Sequence, residues 1–466
     1  MRRLPLGLLV LGLLTAPLLP RISFAEPPKP GATRGNDDPF AFLGELGRVL
    51  AATERYYVEP VGRQRLLEGA LRGMVEKLDP HSAWLDTKEY QELVQETEGK
   101  FGGVGIEVDL RGDVLTVIAP IEGGPAERAG IKSGERILAV DGQSVELVGL
   151  EKMVGRLRGE PGTVVSLLVA PPKPAPKETK PGAEAPAKPE VAAAIVKPRT
   201  VQLTRESIHV SSVTRKRLAE GVFYLRLKQF QEGTHLELLR ALAALRAEAK
   251  AAGQGEPRGV LLDLRSNPGG LVDEAVAIAD ELMEGGTVLT MRARGRITEE
   301  IVATRGGALT KVPVILLMNE WSASAAELLA GALQDSKRAR VVGVDSFGKG
   351  SVQTILELPG GTALKLTTAR YFTPNGHAVQ GDGIHPDLVA AAKAPDPADV
   401  YPIVRERDLP GALSGDGKTN PIQAPRQEYP GQPGEYAVAR DVPVDPRKGD
   451  DGMLKIAFEE LLRSSR

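Results

Sequence analysis

The chain has 466 residues, of which 42% are hydrophobic and 26% charged, with a formal net charge of −2. That is enough apolar content for two or three domains with real cores, and the basic residues are not gathered into one stripe, so nucleic acid is not an expected partner. No cysteine is present, which excludes disulfides and a lipid-bearing thiol and leaves packing to hold the fold.

In chain order, Met1-Arg-Arg, an apolar stretch over 4–19 and Ser23-Phe-Ala25 predict a signal peptide, residues 1–25, cleaved after Ala25. The stretch is short and broken by Pro5 and Pro17, which argues against a permanent anchor. Export to a bacterial periplasm or cell envelope is the expected destination. A Pro-rich spacer covers 26–39. Over 40–98 the apolar residues Leu43, Leu46, Val49 and Leu50, then Leu66, Leu67, Ala70, Leu71 and Val75, fall at helical spacing and predict two or three amphipathic helices with a packing or assembly role.

Residues 99–170 read as a compact module. Phe101-Gly-Gly-Val-Gly-Ile-Glu-Val108 is a glycine loop entering a strand. Pro125-Ala-Glu-Arg-Ala-Gly-Ile-Lys-Ser-Gly-Glu-Arg-Ile-Leu-Ala-Val-Asp-Gly142 gives a short helix, a tight turn and a strand ending at an Asp-Gly hairpin. These blocks resemble a PDZ domain. The resemblance implies β-augmentation, in which a peptide adds as an edge strand while the backbone N–H groups of Gly103, Val104, Gly105 and Ile106 hold its terminal carboxylate. Residues 171–200, rich in Pro, Ala and Lys and without an aromatic, cannot bury a core and read as an extended insertion that acts as a tether.

From 201 to 390 strand and helix alternate: strands at 201–205 and 221–230, a helix at 236–250, a strand at 259–264, a helix at 272–283, a strand at 312–318 and an Ala/Leu helix after Ser324. This predicts an α/β sheet with its chemistry at strand ends. Ser324 falls at the strand-to-helix junction of Asn319-Glu-Trp-Ser-Ala-Ser-Ala-Ala-Glu327. Lys349 follows 25 positions later in Phe347-Gly-Lys-Gly-Ser-Val-Gln353. Together they offer a candidate hydroxyl nucleophile and a candidate amine base. Two plainer readings compete. Ser324-Ala-Ala-Glu327 spells a capping box. Gly343-Val-Asp-Ser-Phe-Gly-Lys349 has the outline of a phosphate-binding loop, yet Gly350 stands where Ser or Thr would ligate magnesium, and 351–358 alternates like a strand. A hairpin over 351–372 turns at Pro359-Gly-Gly361. The Pro/Gly-rich region 391–466 ends in a helix at 453–462.

Leu262-Asp-Leu-Arg-Ser-Asn-Pro-Gly-Gly-Leu271, the Ser-Ala-Ser run, Ala339-Arg-Val-Val-Gly343, the 347–353 block, Leu366-Thr-Thr-Ala-Arg-Tyr-Phe-Thr-Pro374 and Gly381-Asp-Gly-Ile-His-Pro-Asp387 resemble, in the same order, the blocks of the carboxyl-terminal processing peptidases, or tail-specific proteases. One departure is Ala326, where that family usually has a third serine. The resemblance implies Ser324 as nucleophile, Lys349 as general base and Gln353 as the group that orients the lysine.

Such a lysine has a definable requirement. At a reference pKa of about 10.4 it is protonated near neutrality and accepts no proton; burial beside apolar groups supplies the roughly three-unit drop it needs. A neutral Gln353 holds the amine without recharging it, so no carboxylate is needed as third member. Oxyanion donors are expected from the backbone of Ala325, at the positive end of its helix, and from Gly269 or Gly270. The five histidines, His81, His209, His235, His377 and His385, show no metal-ligand or nucleophile-elbow spacing, so no metal and no cofactor is implied.

The expected fold is an α/β protease core of mixed sheet and helices, with an inserted PDZ domain and an N-terminal helical segment. The expected function is an exported serine endopeptidase that takes protein or peptide substrates by their C-terminal tails, with an adaptor protein and a homodimer as further expected partners. The alternative is a catalytically degenerate PDZ scaffold that binds protein C-termini, and a nucleotide hydrolase is a distant third.

Overall fold

The computed structural model describes residues 39–111, 114–144, 150–172, 197–390, 404–415, 427–428 and 442–464. The leader, nearly all of the spacer, most of the tether and much of the C-terminal region lie outside the described residues. The chain divides into two units, residues 1–70 and 71–466.

The first unit holds α1 (Pro39–Tyr56) and the start of α2 (Arg63–Val75). The Arg63 guanidinium donates twice to the Glu54 carboxylate, both at 2.8 Å. The helical period holds, but Leu43, Leu46 and Val49 are 61%, 48% and 57% exposed, so this stripe is not spent on a core of its own.

In the second unit β1 (Ala83–Leu85) and α3 (Thr87–Glu98) come first. A capping box of Asp86 and Glu89 starts α3, and Gly99 in the left-handed conformation ends it. Then follow β2 (Lys100–Gly103), β3 (Ile106–Arg111), β4 (Val114–Pro120), α4 (Pro125–Arg128), β5 (Arg136–Val140), β6 (Gln143–Ser144), α5 (Leu150–Leu157), β7 (Val164–Ala170), β8 (Arg199–Thr204) and β9 (Glu206–His209). The antiparallel order is β3-β4-β5-β7-β8, with β6 on β5, and β2 pairs separately with β9. Val104, Leu115, Ile137, Met153 and Leu167 sit in its core. Asp141 and Gly142 both take positive φ, 48° and 75°, as an Asp-Gly hairpin turn requires.

One boundary is corrected. The strand expected at 201–205 to open the peptidase core is β8, paired with β7 through Val165↔Leu203 and its neighbours. Leu203 is buried in the same cluster as Val165. The module therefore runs to His209, and the tether joins two adjacent strands of one sheet. Antiparallel neighbours accept such a loop because closure entropy grows only slowly with length.

The remainder runs β10 (Val213–Arg217), β11 (Val222–Leu227), α6 (Thr234–Ala251), β12 (Gly259–Asp263), α7 (Val272–Leu282), β13 (Gly286–Ala293), β14 (Arg296–Ala303), β15 (Val314–Met318), α8 (Ala325–Asp335), β16 (Ala339–Gly343), β17 (Ser351–Leu358), β18 (Thr362–Phe372), β19 (Leu388–Val389), β20 (Gln427–Glu428) and α9 (Gly452–Ser464). Strands β11, β12, β15, β16, β19 and β20 are parallel neighbours, with β10 antiparallel at one edge. Both faces of this sheet are covered, which is why its strands read as unbroken apolar runs. Val260, Leu262, Val314 and Leu316 face the cluster that contains α6, α7 and α8 residues. Leu261, Ile315 and Leu317 face Leu454, Phe458 and Leu461 of α9. Each such fully buried side chain contributes roughly 2 kcal/mol.

A second sheet has the order β1-β18-β13-β14, with β17 also on β18. Sequence periodicity does not announce the β13/β14 hairpin, because β14 is charged and largely exposed.

Candidate active site

Strand β12 ends in a turn whose residues are nearly all committed. The Asn267 side chain donates to the Leu227 carbonyl at 2.9 Å and accepts the Gly269 N–H at 2.8 Å, while its carbonyl accepts the Ala323 N–H at 2.9 Å. The glycine turn is thereby tied to the loop that carries Ser324. A β-carbon at Gly269, which has φ +101°, would lie 2.7 Å from Ser324 Cβ and 3.0 Å from Ala325 N; only glycine permits that approach. At Gly270 it would lie 2.0 Å from the Phe230 carbonyl oxygen. Of the two oxyanion candidates, Gly269 already spends its N–H on Asn267.

The two serines of the motif separate by burial. Ser322 is fully buried, donates to the Leu264 carbonyl at 2.9 Å and accepts the Asn319 N–H at 3.0 Å. Ser324 is half-buried at the N-terminus of α8. Ser324 and Glu327 stand in the capping-box arrangement that the sequence spells, but the hydrogen bonds of the first turn go to the Ser324 carbonyl, from the Glu327 and Leu328 N–H groups at 2.8 and 2.9 Å. The Ser324 backbone sits at φ 54°, ψ −118°, a conformation that a non-glycine residue holds only when its surroundings impose it.

What imposes it includes Glu327, which the sequence presents only as the acid of a capping box. Glu327 is fully buried. Its Oε2 accepts the Ser324 N–H at 2.7 Å and the Lys349 N–H at 2.9 Å, and its Oε1 accepts the Ser346 hydroxyl at 2.5 Å and the Gly348 N–H at 2.6 Å. One carboxylate therefore brings the two candidate catalytic residues into one site. Burial pushes its carboxyl up to about 7 despite these four donors. The available signal was a lone acid in a helix whose residues 325–334 are otherwise apolar but for Gln334.

Lys349 lies in the loop between β16 and β17, which opens into a strand and not a helix, so the phosphate-loop outline ends there. Burial pushes its ammonium down from the ordinary lysine value, and Lys365 adds to this, against Glu406, Glu327 and Asp79. Glu406, from the described segment 404–415, is fully buried. It accepts Gln380 Nε2 at 2.8 Å, meets His81 Nε2 at 2.8 Å and donates its N–H to the Phe347 carbonyl at 3.1 Å. Gln353 donates its amide nitrogen to Ser351 Oγ at 3.0 Å and Thr367 Oγ1 at 3.2 Å.

Beneath the glycine turn Arg265 is fully buried and forks between two acids. It donates to Asp263 at 2.7 to 3.1 Å and to both Asp451 oxygens at 2.8 Å. Burial alone would raise the Asp263 carboxyl, but the charge and hydrogen bonds of Arg265 hold it below the usual carboxylate range. Asp451 also accepts the Leu454 N–H in the first turn of α9, at 3.0 Å.

In the antiparallel module Gly103 pairs with Glu206 and bridges to Arg158 just past α5. The Val104 and Gly105 carbonyls accept from Ala126 and Ile121 at 3.1 and 2.9 Å. Ile106 begins β3, opposite Pro120.

Comparison with known proteins gives matches over most of the chain. Residues 221–390 match the model of peptidase family S41, and residues 116–171 match a PDZ domain. A carboxy-terminal-processing protease of Bartonella bacilliformis is 34% identical over 433 residues, 92% of this chain and 90% of the relative. A carboxyl-terminal-processing protease of Picosynechococcus sp. is 38% identical over 316 residues, 67% of this chain and 69% of the relative. A solved structure, the photosystem II D1 C-terminal processing protease, aligns at 30% identity over 75% of this chain and 87% of that chain, with a TM-score of 0.41.

Proposed function

Because this chain belongs to peptidase family S41, as a serine-type peptidase of the carboxyl-terminal-processing kind with a PDZ domain, we propose that Ser324 and Lys349 form its catalytic dyad and that it cleaves proteins presented by their C-terminal tails. The observation that carries this reading is the single Glu327 oxygen that accepts the N–H groups of both residues, beside a lysine whose burial disfavours its charge.

In this mechanism neutral Lys349 Nζ takes the Ser324 hydroxyl proton as Oγ attacks the scissile carbonyl carbon. The oxyanion is met by the Ala325 N–H, which as the first residue of α8 has no intrahelical acceptor, and by the Gly270 N–H. Gly269, without a side chain, lets the turn that carries Gly270 lie against Ser324. The Lys349 ammonium returns the proton to the leaving amine, and the same amine activates water to release the acyl group. Gln353, its amide nitrogen engaged by Ser351 and Thr367, offers its amide oxygen to orient the lysine.

The PDZ module, over the limits 99–209, would receive the tail: Gly103, Val104, Gly105 and Ile106 hold the terminal carboxylate by their N–H groups, and β3 pairs with the peptide. Residues 1–25 act as a cleaved export signal and 26–39 as a spacer, so the mature enzyme works in a periplasm or cell envelope. The helical segment 40–98, with its exposed apolar stripe on α1, serves an adaptor protein or a homodimer. Residues 171–200 form the insertion between β7 and β8, and 391–466 the C-terminal region ending in α9.

Peptides of one sequence with a free or an amidated C-terminus test the reading by mass spectrometry of their products. Internal cleavage of the free-ended peptide is expected. Loss of charge-assisted hydrogen bonds should raise KM for the amidated one by about tenfold or more. Equal KM values would dispose of tail capture, and absence of cleavage would dispose of the dyad.

The pH profile follows from the two shifted groups. A base with a depressed pKa is active above that value and is lost by protonation as the pH falls. Glu327, with a pKa of about 7, likewise gives up its acceptor role on acidification. Between pH 9 and pH 5 kcat/KM is expected to fall, more steeply than one proton allows once both groups titrate. A rate that is flat or rises on acidification contradicts this.

A further inference from the structure

Tyr371 occupies a position no functional reading has assigned. Its hydroxyl lies 2.7 Å from the Ser324 carbonyl oxygen and 2.6 Å from the Lys349 carbonyl oxygen. We propose that Tyr371 is a positioning residue for the dyad, holding the carbonyl groups of Ser324 and Lys349 while Glu327 holds their N–H groups. This rests on the reading of those two residues given above.

A phenol carries one proton and carbonyl oxygens carry none to give, so the single Tyr371 proton is shared between two acceptors belonging to different segments. The Ser324 carbonyl already receives two N–H groups from the first turn of α8. The helix therefore has no need of this bond, and its effect is to tie α8 to the lysine loop. A second grip comes from the main chain, where the Tyr371 N–H donates to the Gly350 carbonyl at 2.9 Å. The ring is 2% exposed inside the main core cluster, where close packing leaves it no alternative rotamer at low cost. Burial, reinforced by Glu327 and Glu406, raises the phenol well above its usual pKa, so it stays a donor throughout the working range.

The chemical consequence lies in geometry. Ser324 is held at a positive φ that L residues seldom adopt, and the distance from its hydroxyl to the Lys349 amine depends on where the two main chains stand. Ser324 is already fixed within α8 by its carbonyl and N–H bonds; Glu327 links its N–H side to that of Lys349, and the shared Tyr371 hydroxyl adds a second link between the two carbonyls, which limits pivoting of the lysine loop against α8. Proton transfer is sensitive to such displacement, and a shift of about 1 Å can cost about a hundredfold in rate.

The test is Tyr371→Phe in the full-length protein, which removes one oxygen and keeps the ring. We expect kcat to fall by about tenfold to a hundredfold with KM within about twofold. Tm should move by no more than about 3 °C, and faster hydrogen exchange should be confined to peptides covering 322–328 and 347–351. An unchanged kcat overturns the proposal. So does a loss of kcat that comes with a large fall in Tm and faster exchange throughout, which marks a merely structural tyrosine. If the unsubstituted protein cleaves no peptide, the dyad reading is what has failed, and the exchange pattern then decides the clamp by itself: a rise confined to the two stretches supports it, and none refutes it.

Discussion

Ser324→Ala is expected to lower cleavage of an unfolded protein substrate by about 10⁴-fold or more, with Tm within about 2 °C of the parent. The two halves of this expectation have different causes. Activity falls because the other serine of the motif cannot take over: Ser322 is buried and spends its hydroxyl on Leu264 and Asn319. Stability holds because the Ser324 carbonyl and N–H make the structural bonds of the first turn, and alanine keeps both. If the hydroxyl were only a helix cap, its removal would cost about 1 kcal/mol and spare activity, so the two readings predict opposite results. Lys349→Ala should be equally inactive. Its Tm should be unchanged or slightly raised, because burial already disfavours the ammonium and truncation relieves that cost.

Arg265→Met is expected to destabilise the protein by about 3 to 5 kcal/mol at pH 8, read as a lower denaturation midpoint in urea. The substitution keeps an apolar stem in the same space but strips Asp263 of its ionic partner at a fully buried site. The sign with pH follows from linkage. In the parent protein Asp263 is held below its ordinary pKa, so it contributes stability above the unfolded value of about 3.9, and that stability is lost as pH falls. Without Arg265 the same buried carboxyl is raised instead, which costs stability as pH climbs. The defect should therefore be larger at pH 8 than at pH 5. A defect of equal size at both values, or one below about 0.5 kcal/mol, would show that Asp263 and Arg265 are not coupled as their geometry demands. Because Asp451 shares the guanidinium and caps the first turn of α9, this helix should be the first element to loosen in the variant.

The order of elements was readable because each relies on a local signal. Unbroken apolar runs marked β12 and β15, helical spacing marked α6 and α9, the Asp-Gly pair marked the β5/β6 turn, and Ser324 fell at its strand-to-helix junction. The charged, exposed β14 left no periodic trace. Strand β8 carried a strand signal, but nothing local says which sheet a strand joins, so only its pairing with β7 moved it into the PDZ module.

The sequence singled out Ser324 and Lys349 as the hydroxyl and the amine to watch through the blocks that resemble the processing peptidases, because residue types and their order are what such a resemblance reads. Tertiary structure alone brings their backbones to one carboxylate. Glu327 and Tyr371 join segments far apart in the chain, Arg265 reaches Asp451 from 186 positions away, and the charge on Lys349 is governed by burial, which exists only once the chain has folded around it.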